Sequence, residues 1–133
     1  MTSPLETRLE SQIKNMGLPD PAREYPFAAE HVGRGDGLRN RLEEAGLSNW
    51  LFDFAWPEAW LAVEVEGGAW VQGRHTRGKG FQEDLEKYHN AMAMGWTVYR
   101  CDGELIKSGR AVELIFTLFE ILSARFGRDE LCG

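Results

Sequence analysis

The sequence predicts one α/β domain with the element order α-β-β-β-α-β-α, and three observations carry that prediction. The chain has 133 residues, 43% of them hydrophobic and 27% charged, which is typical of a single globular domain. Short runs that alternate apolar and polar residues predict strands, and longer runs with apolar residues every three to four positions predict helices. No apolar run reaches the ~20 residues of a membrane span. We therefore expect a single domain over residues 1–133, located in the cytoplasm and without membrane contact.

The first part of the chain begins with a helix and continues less regularly. Ser3 can cap the helix and Glu6 can close a capping box, and the apolar spacing extends to Met16. A short strand is expected over residues 23–28. The glycine-rich segment 30–48 fits either a short helix near 38–45 or a flexible insertion.

The clearest strand pattern is a hairpin. Residues 50–56 alternate, and residues 60–66 alternate again after the turn residues Pro57 and Glu58. One face of the first strand is expected to carry only aromatic side chains, with Asp53 on the other face. These aromatic residues are Trp50, Phe52, Phe54 and Trp56.

A glycine-rich loop over residues 67–80 is expected to connect the hairpin to the remaining elements. A helix from Phe81 to Gly95 follows, in which Leu85, Tyr88 and Met92 recur at helical spacing. A strand over 96–101 and a helix over 111–126 complete the order. Two further residues, Cys101 and Cys132, lack metal-site spacing, so neither a disulfide framework nor a zinc site is expected.

Three carboxylates stand out because they lie on otherwise apolar strands. Asp53 is in the first strand of the hairpin, and Glu64 and Glu66 share one face of the second. Taking a carboxylate out of water is costly unless it is paired, hydrogen-bonded or bound to a cation, and clustered carboxylates repel one another. A solvated sheet face is the alternative. A divalent cation would stabilise the group, and oxygen ligands suit Mg²⁺ or Mn²⁺.

The hairpin loop decides whether the carboxylates converge, because a slip of one residue sends every side chain to the other face. An even-length loop, either 57–58 or 56–59, puts Asp53 opposite Ala62 and on the face of the two glutamates. A three-residue loop would put Asp53 on the other face. We expect the even-length loop, with Asp53 and Glu64 as diagonal neighbours roughly 7 to 8 Å apart.

These residues resemble the PD-(D/E)XK nuclease superfamily, also called restriction-endonuclease-like. The likeness rests on FDFAWPE at 52–58, on LAVEVEGG at 61–68 and on the element order, and it spans most of the chain. It is nearest to small phage-type and Vsr-like members, in which GRHTRG at 73–78 and EKY at 86–88 also have counterparts. The resemblance implies a mixed central sheet flanked by helices, and a nuclease of a bacterial or phage-infected cell.

The resemblance also implies a metal site. It assigns metal ligation to Asp53, Glu64 and the carbonyl of Val65, with Glu66 as a further ligand or a group that orients water. The expected cofactor is Mg²⁺ or Mn²⁺, and no nucleotide cofactor is expected. A first-helix glutamate reaches the metal site in some related nucleases, so Glu6 has this role as an alternative to helix capping.

One departure from the family concerns its usual lysine, because the residue two positions after Glu64 is Glu66. Similar members move the lysine to the next helix or use a histidine, which points to Lys87 and His75. His75 would act as a base or contact a phosphate, and Lys87 would stabilise the transition state. The alternative for Lys87 is an ion pair with Glu83, one helical turn earlier.

The net charge of −6 argues against a simple basic nucleic-acid-binding domain. Basic residues can still form a local patch, and Arg74, Arg77 and Lys79 lie between glycines in a manner suited to gripping DNA phosphates. A solvated charge cluster is the alternative.

We therefore expect a metal-dependent DNA endonuclease that hydrolyses phosphodiester bonds by metal-activated water. Cleavage could be structure-selective, in repair, recombination or phage DNA processing, and a homodimer could supply specificity. One alternative is a DNA-binding module on a nuclease scaffold that has lost catalysis. Another is a metal-independent hydrolase that uses Glu64 and Glu66 as acid and base.

Overall fold

The computed structural model describes residues 2–67 and 79–132, with side chains described except at 79 and 127–132. This part of the chain forms an α/β fold whose order agrees with the prediction, with added short helices. In chain order the elements are α1 Pro4–Asn15, β1 Ala22–Tyr25, α2 Phe27–Val32, α3 Leu38–Ala45, β2 Phe52–Trp56, a 3₁₀ turn Pro57–Ala59, β3 Leu61–Glu66, α4 Lys79–Ala93, β4 Thr97–Asp102, α5 Gly103–Lys107 and α6 Arg110–Cys132.

The described strands form one mixed sheet in the order β1-β2-β3-β4. The pairs β1 with β2 and β2 with β3 are antiparallel, and β3 with β4 is parallel. The parallel pair needs a crossover, and α4 lies in that connection between β3 and β4. The two central strands are therefore β2 and β3, which carry Asp53 and Glu64.

Helices cover both faces of the sheet, and each face has its own apolar core. One core contains Leu9 and Ile13 of α1, Ile115 of α6, and the sheet residues Phe54 and Val63. The other core gathers residues of α2, α3 and α4 against the opposite face. Its buried members are Phe27, Ala28, Leu42, Phe52, Ala55, Ala62, Ala91 and Trp96.

In the first half of the chain, one expectation needs correction and one pair of alternatives is resolved in favour of a helix. The strand expected over 23–28 ends at Tyr25, because Pro26 precedes a helix that buries Phe27, Ala28 and Ala29 against the sheet. In segment 30–48 the structure forms the helix expected at 38–45, and Leu42 of this helix is 7% exposed.

The aromatic face expected for β2 is also divided. Phe54 and Trp56 lie in the core with α1 and α6, whereas Phe52 lies in the other core, against which Trp50 packs. The division falls at Asp53, where the regular pairing of β2 with β3 stops after Phe54 with Val63. The alternation rule therefore fails at the residue where the ladder is interrupted.

The hairpin has an even-length loop, as expected, but a different register. Trp56 pairs with Leu61, which leaves the four residues 57–60 as the loop. Ala62 consequently lies opposite Ala55 and not Asp53, and the same register places Asp53 across from Glu64. The prediction of diagonal neighbours is wrong because Trp60 adopts a left-handed conformation and ends the 3₁₀ turn, so it cannot begin the strand.

Within the ranges 2–67 and 79–132, no helix combines the length and apolar character needed to cross a bilayer.

Candidate active site

Asp53 and Glu64 are joined across the two central strands by a reciprocal pair of hydrogen bonds. The backbone N–H of Asp53 donates to Glu64 Oε2 at 2.8 Å, and the backbone N–H of Val65 donates to Asp53 Oδ2 at 2.8 Å. The bonds follow directly after the last regular pair of the β2–β3 ladder. Each carboxylate thus accepts a bond from the neighbouring strand's backbone, which fixes both side chains at the point where the strands separate.

Glu64 is the most deeply placed of the candidate residues, with 5% of its surface exposed. Its Oε1 atom accepts hydrogen bonds from the Lys87 ammonium and from the Tyr88 hydroxyl, the latter at 3.0 Å. A buried carboxylate is tolerated when it is both paired and hydrogen-bonded. Helix α4 supplies the ion-pair partner, Lys87, and a hydrogen-bond donor, Tyr88. The Lys87 side chain is itself only 16% exposed, so the ion pair is buried on both sides.

Lys87 therefore contacts the carboxylate that the resemblance assigned to metal binding. The predicted alternative was an ion pair with Glu83, whereas the structure places the ammonium of Lys87 on Glu64. The ammonium also lies 5.9 Å from the ring centroid of Phe52, in the range of a cation–π contact. The helix after β3 thus brings a positive charge to the Asp53–Glu64 pair.

Tyr88 is a site residue that the sequence reasoning missed. Its spacing with Leu85 and Met92 indicates a core-facing stripe, yet Leu85 is 50% and Met92 70% exposed. The Tyr88 hydroxyl instead donates to Glu64, and the Arg100 guanidinium lies 4.5 Å from its ring centroid. Burial, and the nearby charge of Glu64, raise the pKa of Tyr88, so the phenol remains a donor. The adjacent candidate Lys87 was the sequence signal that could have identified Tyr88, since two neighbouring helical residues can reach one carboxylate.

Glu66 takes part in a separate ion pair. Its Oε1 atom accepts from Arg100 Nε of β4 at 2.6 Å. This bond raises the pKa of Arg100 despite partial burial, which lowers it. Across residues 2–67 and 79–132, no group of three or more Asp, Glu, His or Cys side chains has a geometry that could hold a metal. The described site is accordingly a pair of carboxylates with Glu66 beside it.

Glu6 approaches the site through Arg23. Ser3 caps α1 as predicted, because its hydroxyl accepts from the Glu6 N–H at 3.2 Å, and the same hydroxyl donates to Glu6 Oε2 at 3.2 Å. The Glu6 carboxylate also accepts from Arg23 at 2.8 Å, and Arg23 Nε donates to the backbone carbonyl of Asp53 at 3.1 Å. Arg23 lies over the Phe54 ring, 4.1 Å from its centroid. One guanidinium thus links α1 to the strand that carries Asp53.

The remaining candidate residues belong to the loop expected over 67–80. His75, Arg74 and Arg77 lie outside the described residues. Lys79 is the first residue of α4, and its side chain is not among those described.

The pKa of Asp53 is raised from its ordinary value of 3.8 to about 6. Burial is the largest cause, and the Val65 N–H opposes it by stabilising the ionised form. The negative charges of Glu64 and Glu6 raise the pKa further, and Lys87 lowers it. The folded chain consequently holds a proton on Asp53 more tightly than the unfolded chain does.

This pKa shift predicts that the difference in folding stability between the wild type and Asp53→Asn depends on pH. As the pH rises from about 4 to about 6, Asp53 loses its proton in the unfolded chain before it does so in the folded chain. Its contribution to the free energy of unfolding of the wild type therefore becomes unfavourable over this window and stays so at higher pH. Asp53→Asn lacks this contribution. We expect the variant to gain stability relative to wild type across the window, measured by urea unfolding in EDTA. The exposed Asp36→Asn is the control, and a constant difference between Asp53→Asn and wild type would contradict the expectation.

The donor chemistry at the pair fits a hard divalent cation. Two carboxylates are fixed side by side, and carboxylate and carbonyl oxygens are the ligands that Mg²⁺ and Mn²⁺ prefer. Burial raises the pKa of Asp53, and the neighbouring negative charges of Glu64 and Glu6 raise it further, so a bound cation would favour its ionised form. Asp53 and Glu64 are the described residues that would hold such an ion, and the resemblance would add the carbonyl of Val65.

Comparisons of the chain with protein-family models, with curated proteins and with solved structures give no significant match.

Proposed function

We propose that this chain is a metal-dependent DNA endonuclease of the restriction-endonuclease-like type, which hydrolyses phosphodiester bonds by attack of water. The observation that carries the proposal is the Asp53–Glu64 pair with Lys87 on it. The two carboxylates and the ammonium of Lys87 share one site between β2, β3 and α4. Carboxylates held in this way are costly to the fold and suit a site that binds positive charge.

The chemistry divides between the ion and the side chains. Mg²⁺ or Mn²⁺, when bound, would lower the pKa of a water molecule and neutralise charge on the scissile phosphate. Asp53 and Glu64 would hold the ion, and their hydrogen bonds with the backbone set the direction of each carboxylate. Lys87 supplies a positive charge for the phosphate that gains negative charge during hydrolysis. Tyr88 donates to Glu64 and so orients it.

Lys87 supports the reading that the missing family lysine has moved to the next helix. Position 66, where the family usually has its lysine, holds a glutamate that bonds Arg100. The ammonium of Lys87 lies on Glu64 from α4 instead. A lysine that approaches from a helix can swing away from the carboxylate on its long side chain, which leaves room for a cation and a phosphate.

The second candidate is a DNA-binding module without catalysis. The ion pair of Lys87 with Glu64 favours it, because an ammonium that already satisfies Glu64 can replace the cation structurally. The two candidates differ in whether a divalent cation binds and whether the bound DNA is cut.

The test is cleavage of end-labelled linear, nicked, flapped and four-way DNA in Mg²⁺ or Mn²⁺, with EDTA as the control. We expect cuts that require the cation and that are absent with Glu64→Gln, which excludes a contaminating nuclease. The preferred substrate would then identify any structure selectivity. DNA that is bound but uncut under every condition would contradict the enzyme and leave the binding module. Activity that persists in EDTA would instead indicate a metal-independent hydrolase.

A further inference from the structure

A small aromatic cleft lies beside the start of β3. Its volume is about 200 Å³. Pockets that enclose drug-sized ligands usually measure ~300–1,000 Å³, so this cleft fits a small headgroup and not a whole cofactor. Its lining residues are Tyr25, Phe27, Glu30, His31, Trp60 and Trp96.

Three aromatic rings in the cleft stand at steep angles to one another. The Trp96 ring lies 5.6 Å from Tyr25 with an interplanar angle of 56°, and 5.1 Å from Trp60 with an angle of 58°. Parallel rings would form a flat slot for a planar ligand. Rings inclined in this way pack in a tilted arrangement and present no flat slot, and the electron-rich faces of tryptophan and tyrosine attract a cation.

The backbone of Trp60 adopts a conformation that is energetically unfavourable for tryptophan. It has φ 52° and ψ 38°, a left-handed conformation that is a genuine outlier for a bulky residue. Its carbonyl accepts from the Thr97 N–H at 2.9 Å, and its own N–H donates to Pro57 at 3.2 Å. Trp60 is nevertheless 39% exposed as a residue, so it is accessible to a ligand in the cleft.

Charge makes the cleft more selective. Glu30 adds a carboxylate, and its charge contributes to a raised pKa of Tyr25, for which burial is the larger cause. Arg34 competes for Glu30 at 3.2 Å, but both side chains of this pair are well exposed, at 63% and 41%. Exposed pairs of this kind hold each other weakly.

We infer that the cleft binds a trimethylated ammonium group. A primary ammonium is strongly hydrated and would lose that water on entering the cleft, whereas a quaternary one is weakly hydrated and apolar on its surface. A nucleobase fits less well, because the rings are not parallel and Glu30 would repel the attached phosphate. The inference is independent of the proposed nuclease, which uses Asp53 and Glu64.

The test compares choline with its neutral carbon isostere, dimethylbutanol, by NMR of the tryptophan indole N–H signals in the full chain. We expect choline to shift the Trp60 and Trp96 signals and to bind about 2- to 30-fold more tightly than the isostere. Trp60→Gly should remove the binding, and glycine tolerates the left-handed backbone. Glu30→Gln should weaken choline binding several-fold, with the exposed Glu44→Gln as the control.

Two further ligands distinguish the sources of such a group. Trimethyl-lysine amide represents a modified protein side chain, and phosphocholine represents a lipid headgroup whose phosphate Glu30 would oppose. We expect the amide to bind more tightly. Equal binding of choline and dimethylbutanol, unchanged choline binding in Glu30→Gln, or no shift at either indole would each overturn the inference. The Glu30 variant decides the matter should Trp60→Gly not fold.

Discussion

Replacing Lys87 with methionine is expected to destabilise the fold by about 3 kcal/mol, because it leaves the buried charge of Glu64 without its ion-pair partner. Glu64 is 5% exposed, so water cannot take over the role of the ammonium. The Tyr88 hydroxyl and the Asp53 N–H remain as donors and keep the cost at the lower end of what breaking a buried pair entails. Urea unfolding at neutral pH in EDTA measures the change.

A second substitution shows whether the loss comes from the charge or from packing. The double variant Glu64→Gln and Lys87→Met retains an acceptor for the Asp53 N–H and removes both charges of the buried ion pair, so we expect it to recover most of the loss. The exposed Lys107→Met is the matched control, with a change within about 0.5 kcal/mol. A single Lys87→Met variant as stable as wild type would mean that Glu64 is satisfied without the ammonium.

The second large effect is expected on cleavage. Asp53→Asn should lower the rate of metal-dependent DNA cleavage by at least about 100-fold, as expected when one preorganised charged group is removed from a site. Asparagine has nearly the same shape and can still accept from the Val65 N–H, so the strand pairing is retained. The pH-dependent unfolding described above establishes that the variant is folded.

The rate is measured with the substrate that wild type prefers, in Mg²⁺ and in Mn²⁺, with Asp36→Asn as the control. Isothermal titration of Mn²⁺ gives the accompanying loss of cation affinity. If Asp53→Asn cuts at the wild-type rate, Asp53 is not a ligand and its raised pKa belongs to the fold alone.

Sequence patterns predicted the main helices and strands and the parity of the hairpin, but not its register or the short helices Phe27–Val32 and Gly103–Lys107. Alternation predicted one face for Phe54 and Trp56 correctly but placed Phe52 on that face too, whereas it lies in the opposite core. The even-length loop was enough to bring Asp53 and Glu64 to one site. The actual register depends on Trp60, whose left-handed backbone follows from the 3₁₀ turn and from the bond with Thr97. Thr97 of β4 is more than thirty residues away in sequence, so a local sequence pattern cannot predict this contact.

The site residues show the same division between local and tertiary information. Asp53 and Glu64 were identifiable because ionised groups on apolar strands need a reason. The resemblance indicated Lys87, but the contacts of Lys87 and Tyr88 with Glu64 required the placement of α4, which a helical period cannot supply. The period of Leu85 and Met92 pointed toward a core that these residues do not join, since both are half or more exposed.

The two hydrogen bonds that join Asp53 and Glu64 to the neighbouring backbone also bear on how such a site could be lost. They take over where regular strand pairing ends, so the carboxylates serve as structural links as well as candidate ligands. A descendant without catalysis would leave one strand N–H group unsatisfied for each acid that it lost. It would therefore tend to retain both. The acidic pair is therefore evidence of the connection between the two strands. Evidence of catalysis must come from Lys87 or from measured DNA cleavage.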